Sequence, residues 1–155
     1  QEGLAMFLSI GDLATRTGVK VPTIRYYESR GLIAVPLRSA GNQRRYGRAE
    51  LERLGFIRHA RDLGFSLEAI AALIELQDHP DRGCGSATRI AQGQLGAVQE
   101  KIRQLRALET ELARIAEGCT GEGAARDCYV LASLAGHDLC RRDHPAEARS
   151  STQRS

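Results

Sequence analysis

Apolar positions recur at helical spacing along most of the chain, and glycine or polar residues between them mark where each helix stops. After a short apolar start at Phe7 to Ile10, residues Ile10, Leu13, Ala14 and Val19 keep a helical period, with Ser9 placed to cap and Asp12 in the first turn. Gly18 breaks that helix, and Val21-Pro22-Thr23 opens another, since proline is tolerated in a first turn. The second helix carries Ile24, Tyr27 and Glu28 and stops at Gly31. Two short helices joined by a tight glycine-containing turn predict a helix-turn-helix.

Residues 33–46 hold Pro36, Gly41 and Asn42 between short extended pieces, which predicts a small hairpin, or wing. From Arg48 the helical pattern resumes with Leu51, Leu54, Ile57 and Leu63 and breaks at Gly64; Ser66 then caps a helix carrying Leu67, Ile70, Leu73, Ile74 and Leu76. After the break at His79-Pro80-Asp81-Arg82-Gly83 come Leu95, Val98, Ile102, Leu105, Leu108, Leu112 and Ile115, at intervals of 3, 4, 3, 3, 4 and 3. These form a coiled-coil-like stripe, to be covered either by the chain's own head or by a second copy. No other element of the chain is long enough, which favours self-association through Leu95, Val98, Ile102, Leu105 and Leu112. Residues 118–127 are small and polar and predict a loop; Tyr129 to Leu134 predict a last helical turn.

The expected fold is therefore mainly α, a winged helix-turn-helix head plus a long C-terminal coiled-coil dimerisation helix. The expected segments are the head with its connecting helices at 7–76, a hinge at 77–84, the dimerisation helix at 85–117, a loop and short terminal helix at 118–140, and a flexible polar tail at 141–155.

Composition narrows the function. The 155 residues are 42% hydrophobic and 26% charged, enough for one small domain and an extended element. Aromatics are 5% with no Trp, which argues against a large aromatic-lined catalytic cavity, and no nucleophile–base pair, phosphate-binding glycine loop or paired carboxylate appears; an enzyme is not expected. No stretch approaches the roughly 20 apolar residues of a membrane span, and a signal peptide is not expected. Met6 is expected to be the natural start, with Gln1 to Ala5 left from expression, and the expected compartment is the cytoplasm.

The net charge of +3 is modest, so its distribution matters more. Lys20, Arg25 and Arg30 cluster on or beside the second helix with Tyr26 and Tyr27, while Arg38, Arg44, Arg45 and Arg48 load the wing. Taken singly, each arginine is more readily part of a solvated face. The whole arrangement of turn, recognition helix and basic wing points to double-stranded DNA: Thr23 and Arg25 suit a major groove, and Lys20, Arg44, Arg45 and the hydroxyls of Tyr26, Tyr27 and Tyr46 suit phosphates.

Four cysteines in such a chain suggest metal or redox chemistry. Cys119 follows Cys84 by 35 residues, and Cys128 follows Cys119 by nine. With Leu95 to Ile115 in one helix, Cys84 lies near its start and the other two just past its end, separated by roughly 50 Å. One chain cannot bring the three thiols to one point, but two antiparallel chains can. The pair Cys119 and Cys128 alone reads more readily as a redox pair or an accident of sequence than as a metal site, whereas all three offer soft ligands to a soft metal. Cys140 with His137 and His144 forms a loose group near the tail, either incidental or an auxiliary metal site; His59 and His79 are expected to be structural or surface residues, with His79 able to tune the thiol site from behind its ligands.

The string Ile10-Gly11-Asp12-Leu13-Ala14, Gly18-Val19, Thr23-Ile24-Arg25-Tyr26-Tyr27-Glu28 and Gly31-Leu32-Ile33 resembles the N-terminal signature of MerR-type regulators. Asn42, Arg45-Tyr46 and Leu63-Gly64-Phe65-Ser66-Leu67 continue the resemblance, which covers Phe7 to Leu134. It implies a homodimer with winged helix-turn-helix heads and an antiparallel coiled-coil interface. It also implies a regulator that distorts promoter DNA to realign elements spaced too far apart, with RNA polymerase as an indirect partner.

In metal-sensing members the equivalent of Cys84 comes from one protomer and those of Cys119 and Cys128 from the other. Copper- and silver-sensing members resemble this chain but have serine at 84, so a third thiolate implies a divalent soft ion. Zinc-sensing members carry a loop histidine, whereas Thr120 to Asp127 contains none and Gly123 stands in its place. The implied effector is mercury, lead or cadmium, the last adding water or a carboxylate such as Glu122 or Asp127, with zinc a weaker candidate. The expected function is a metal-responsive regulator that represses without metal and activates with it. The alternatives are a zinc-responsive regulator of the same kind and a thiol-redox regulator using Cys119 and Cys128. A regulator gated by an organic ligand is disfavoured by the missing aromatic-rich C-terminal domain.

Overall fold

Local capping chemistry sets the helix ends in the computed structural model, which describes residues 7–36, 40–41 and 45–136. Among these residues the helices are α1 Ile10–Thr17, α2 Val21–Ser29, α3 Arg48–Asp62, α4 Leu67–Asp78, α5 Gly85–Glu117 and α6 Tyr129–Ala135, with a 3₁₀ turn at Ala125–Asp127. The chain divides into two compact units, residues 1–94 and 95–155.

In the first unit, Ser9 Oγ accepts from the Asp12 N–H at 3.1 Å while the Asp12 carboxylate accepts from the Ser9 N–H at 3.0 Å. This reciprocal pair satisfies two otherwise orphaned donors at the start of α1. The hydrogen bonds from the Ser9 side chain and backbone also hold the Asp12 carboxyl below the usual range. Gly18 ends α1 at φ +69°, a left-handed conformation that a side chain disfavours, and its N–H returns to Ala14 O at 2.8 Å. Pro22 stands in the first turn of α2. Ser66 caps α4 by accepting from the Ala69 N–H at 3.1 Å.

These helices bury one apolar core, in which Leu13, Ile24, Leu54, Ile57 and Ile70 are fully enclosed. Leu8 and Tyr46 close it through an isolated antiparallel bridge, each backbone N–H donating to the other's carbonyl at 2.8 Å. Polar ties join the elements: Arg58 donates to Thr17 O, Arg53 pairs with Asp78, and the Gln94 side chain donates to Leu63 O at 2.9 Å. No strand forms among the described residues. Of the hairpin expected at 33–46, residues 37–39 and 42–44 lie outside the described residues.

The second unit holds the later part of α5, the loop after it and α6. The five α5 residues expected at a dimer interface, Leu95, Val98, Ile102, Leu105 and Leu112, are 42 to 63% exposed. Ile115, the last member of the same stripe, is buried within its own chain beside a buried Glu111. The tail and the group Cys140, His137 and His144 lie outside the described residues.

Because Leu54 is fully enclosed, Leu54→Ala is expected to cost ~2–5 kcal/mol. Urea unfolding is the check: the midpoint should fall with little change in slope.

Candidate functional site

Two surfaces carry chemistry. On the first, α1 and α2 meet at the Gly18 turn. Lys20 precedes α2 as its cap residue, Thr23 is half-buried, and Arg25 and Tyr26 stand exposed on the helix, with Arg30 exposed at its end. A surface cleft of about 250 Å³ opens beside Arg25 and is lined by Glu28, Ser29 and Val35. Arg45 is exposed next to the core residue Tyr46. The described residues of this face include cationic and hydroxyl donors of the kind that contact phosphates.

Two residues expected on this face are placed elsewhere. Tyr27 and Tyr46 are buried in the core at 7% and 0% exposure. The Tyr46 hydroxyl donates to the buried Glu28 carboxylate at 2.5 Å, so its polar end is engaged inside the head rather than turned outward. A tyrosine's periodic position fits a core ring and a contact ring equally; only packing separates the two. Arg38 and Arg44 lie outside the described residues.

The second surface is the loop between α5 and α6. Cys119 and Cys128 are half-buried, with their Sγ atoms 3.9 Å apart. The backbone N–H of Leu131 is the main group drawing the Cys128 thiol below its ordinary range; Cys119 and the Val130 N–H add to it, against the opposing effect of burial. Gly121 and Gly123 turn the loop at φ +79° and +112°. The second value lies where side chains are strained, which is a backbone reason for glycine rather than histidine at 123.

Residues bracketing the two thiols are themselves in contact. The Tyr129 ring lies so close against Gly118 that a Cβ there would overlap ring carbons Cδ1 and Cε1. Arg114 donates to the Tyr129 hydroxyl and, through Nη2 and Nε, to the two Glu111 oxygens at 2.5 and 3.1 Å. None of Gly118, Tyr129, Arg114 or Glu111 stood out in sequence. The available signal was adjacency, since Gly118 precedes Cys119 and Tyr129 follows Cys128. Ser133 Oγ is buried without a hydrogen-bond partner among the described residues.

Cys84 is exposed immediately before α5, where its carbonyl accepts from the Thr88 N–H at 3.0 Å. Within one chain, the described residues gather no group of three or more His, Cys, Asp or Glu side chains suited to a metal ion. His79 is exposed, its ring nitrogen 2.8 Å from Glu75 O, and His59 is exposed on α3.

A family model described as MerR HTH family regulatory protein matches residues 8–77, and one described as MerR, DNA binding, matches residues 51–115. The mercuric resistance operon regulatory protein of Serratia marcescens is 39% identical over 129 residues, 83% of this chain and 88% of that protein. The chain belongs to the MerR family of transcription regulators. The fold of this MerR-family protein is similar to the crystal structure of the transcription regulator PbrR691 from Ralstonia metallidurans CH34 in complex with lead(II), at TM-score 0.72 and 38% identity, covering 82% of this chain and 98% of that one. It is also similar to that of the dual-function transcriptional regulator MerR from Bacillus megaterium MB1 in complex with mercury(II), at TM-score 0.65 and 28% identity, covering 83% and 100%.

In this MerR-family chain the helix-turn-helix lies within the first match, and no helix among the described residues is long and apolar enough to cross a membrane. The geometry around Cys128 has a direct chemical consequence. Its depressed pKa places more thiolate at a given pH than an ordinary cysteine would have. Alkylation of Cys128 by iodoacetamide, followed by peptide mass spectrometry, should therefore reach half-maximal rate below the pH found for an unstructured peptide carrying the same sequence. A midpoint equal to the peptide's would contradict the geometry.

Proposed function

We propose that this protein is a metal-responsive MerR-family transcription regulator that represses without metal and activates by distorting promoter DNA when a soft divalent ion binds. The single observation that carries the metal response is the closely placed thiol pair Cys119 and Cys128, 3.9 Å apart at Sγ and half-exposed. Two soft donors at this separation, one of them biased towards thiolate, fit a soft ion. The ion would be held by Cys119 and Cys128 of one protomer with Cys84 of the other. Support for sharing comes from the exposed Cys84 at the start of a continuous 33-residue helix whose other end leads into the loop. The names of the relatives point to mercury and lead, and cadmium shares their preference for thiolates. Zinc is the weaker candidate, since residues 120–127 offer no histidine.

The proposed dimer pairs α5 with a second copy through Leu95, Val98, Ile102, Leu105 and Leu112, all exposed in the single chain. Paired heads would then read two half-sites. Lys20, Thr23, Arg25, Tyr26, Arg44 and Arg45 are assigned to DNA, with Arg25 the best placed for a base edge. Distorting the duplex in this way costs about a few kcal/mol, and the ion acts by favouring the conformation that makes the bend. RNA polymerase responds to the realigned promoter without a direct contact from this chain.

The same thiol pair also suits a disulfide switch driven by an oxidant. The two mechanisms part at Cys84, which a disulfide between Cys119 and Cys128 does not need.

Two outcomes test the proposal. Arg25→Ala should weaken operator binding by ~1–3 kcal/mol, measured by gel shift, with relaxed discrimination at one base pair. Purified dimer titrated with Hg(II), Pb(II), Cd(II) and Zn(II) should show thiolate-to-metal charge-transfer bands and a parallel rise in promoter transcription, both abolished in Cys84→Ser. Full induction by metal in Cys84→Ser would sink the shared site. Induction by oxidant alone would favour the disulfide switch.

A further inference from the structure

We infer that Tyr129, seated on Gly118 and held by Arg114, is a positioning residue that presets the Cys119–Cys128 pair before any ion arrives. The inference rests on the proposed ion site and adds the device within this chain that shapes it.

The observations converge from both sides of the loop. Gly118 is directly bonded to Cys119, and Tyr129 to Cys128, so a contact between the outer residues closes the loop on the two thiols. The Tyr129 ring occupies the space a Cβ at 118 would need. Gly118 is not among the glycines with positive φ, so glycine is required there for room rather than for backbone conformation. The ring is in turn anchored. Arg114 is fixed on α5 by its two bonds to the buried Glu111 carboxylate, and its remaining Nη1 donates to the Tyr129 hydroxyl, with the guanidinium carbon 6.0 Å from the ring centroid.

Within the loop, the 3₁₀ turn at Ala125–Asp127 supplies only local bonds, such as Asp127 N–H to Ala124 O at 2.9 Å. Residues 120–127 are exposed and include two glycines in left-handed conformations. A free segment of this kind loses conformational entropy when its ends are brought together, and a contact that closes it beforehand removes that cost from ligand binding. The two sulfurs then face a soft ion as a preformed pair.

Proximity of two thiols can be read without any metal, through exchange with glutathione. The protein dithiol and one glutathione disulfide yield the protein disulfide and two reduced glutathiones, with two electrons and two protons passing to glutathione. The equilibrium constant reports the effective concentration of one thiol at the other. The experiment compares the full chain with Gly118→Ala, Tyr129→Ala and Tyr129→Phe in glutathione buffers, quantifying the Cys119–Cys128 disulfide by peptide mapping. Cd(II) titration of the charge-transfer band follows on the same proteins, and metal-free operator binding reports intact heads.

Gly118→Ala and Tyr129→Ala are expected to lower the constant by about tenfold or more, while Tyr129→Phe, which keeps the ring but loses the bond from Arg114, lowers it by about three- to tenfold. Cd(II) affinity should fall in the same order, with operator binding unchanged. Constants within about twofold of the parent in both Gly118→Ala and Tyr129→Ala overturn the inference. If Gly118→Ala fails to fold, Tyr129→Ala decides alone, because it only removes atoms. A lowered constant in a protein whose parent binds none of the ions upholds the positioning role and overturns the ion site instead.

Discussion

A long helix that leaves a stripe of large apolar side chains in water is the constraint on which this molecule turns. An isolated amphipathic helix draws most of its stability from the surface it packs against. Along α5 the single chain itself does not cover Leu95, Val98, Ile102, Leu105 and Leu112, while it does cover Ile115 near the end. Each uncovered Leu or Ile forgoes about 1.5–3 kcal/mol relative to full burial. The proposed antiparallel partner would supply the cover, and the same pairing would carry Cys84 of one copy towards the loop of the other. In the proposed arrangement, dimer, ion site and paired DNA heads would all depend on this one pairing.

The two units are built on different physics. The head is a small apolar core with capped helices, an inward tyrosine hydroxyl satisfied by Glu28, and side-chain ties between helices. The loop after α5 has small polar residues, left-handed glycines and an aromatic ring resting on a glycine. Rigidity suits the part that must keep register on DNA. A segment with few buried contacts suits a part that must respond to a ligand, because a small change in free energy is enough to reorganise it.

The proposed preference for a soft ion is consistent with this division. Thiols provide softness, and their number and spacing decide which ion is comfortable. The loop's backbone contributes as well, since its turn at Gly123 uses a conformation that excludes a strain-free histidine.

Local backbone chemistry was legible in the sequence. The Ser9 and Ser66 caps, the Gly18 and Gly64 breaks, the proline at the start of α2 and the long helix before Cys119 all follow from signals spanning a few residues, where sterics and hydrogen bonding act within one turn. The family was legible too, in the ordered string of residues from Ile10 to Leu67. Tertiary packing alone decided that Tyr27 and Tyr46 turn inward, that Ile115 is covered by its own chain, and that Tyr129 lies on Gly118. Burial and contact depend on what arrives from elsewhere in the chain, as when Tyr46 meets a carboxylate 18 residues earlier. A helical or alternating pattern says which face a residue shares, but the neighbour that claims the face is set by the fold.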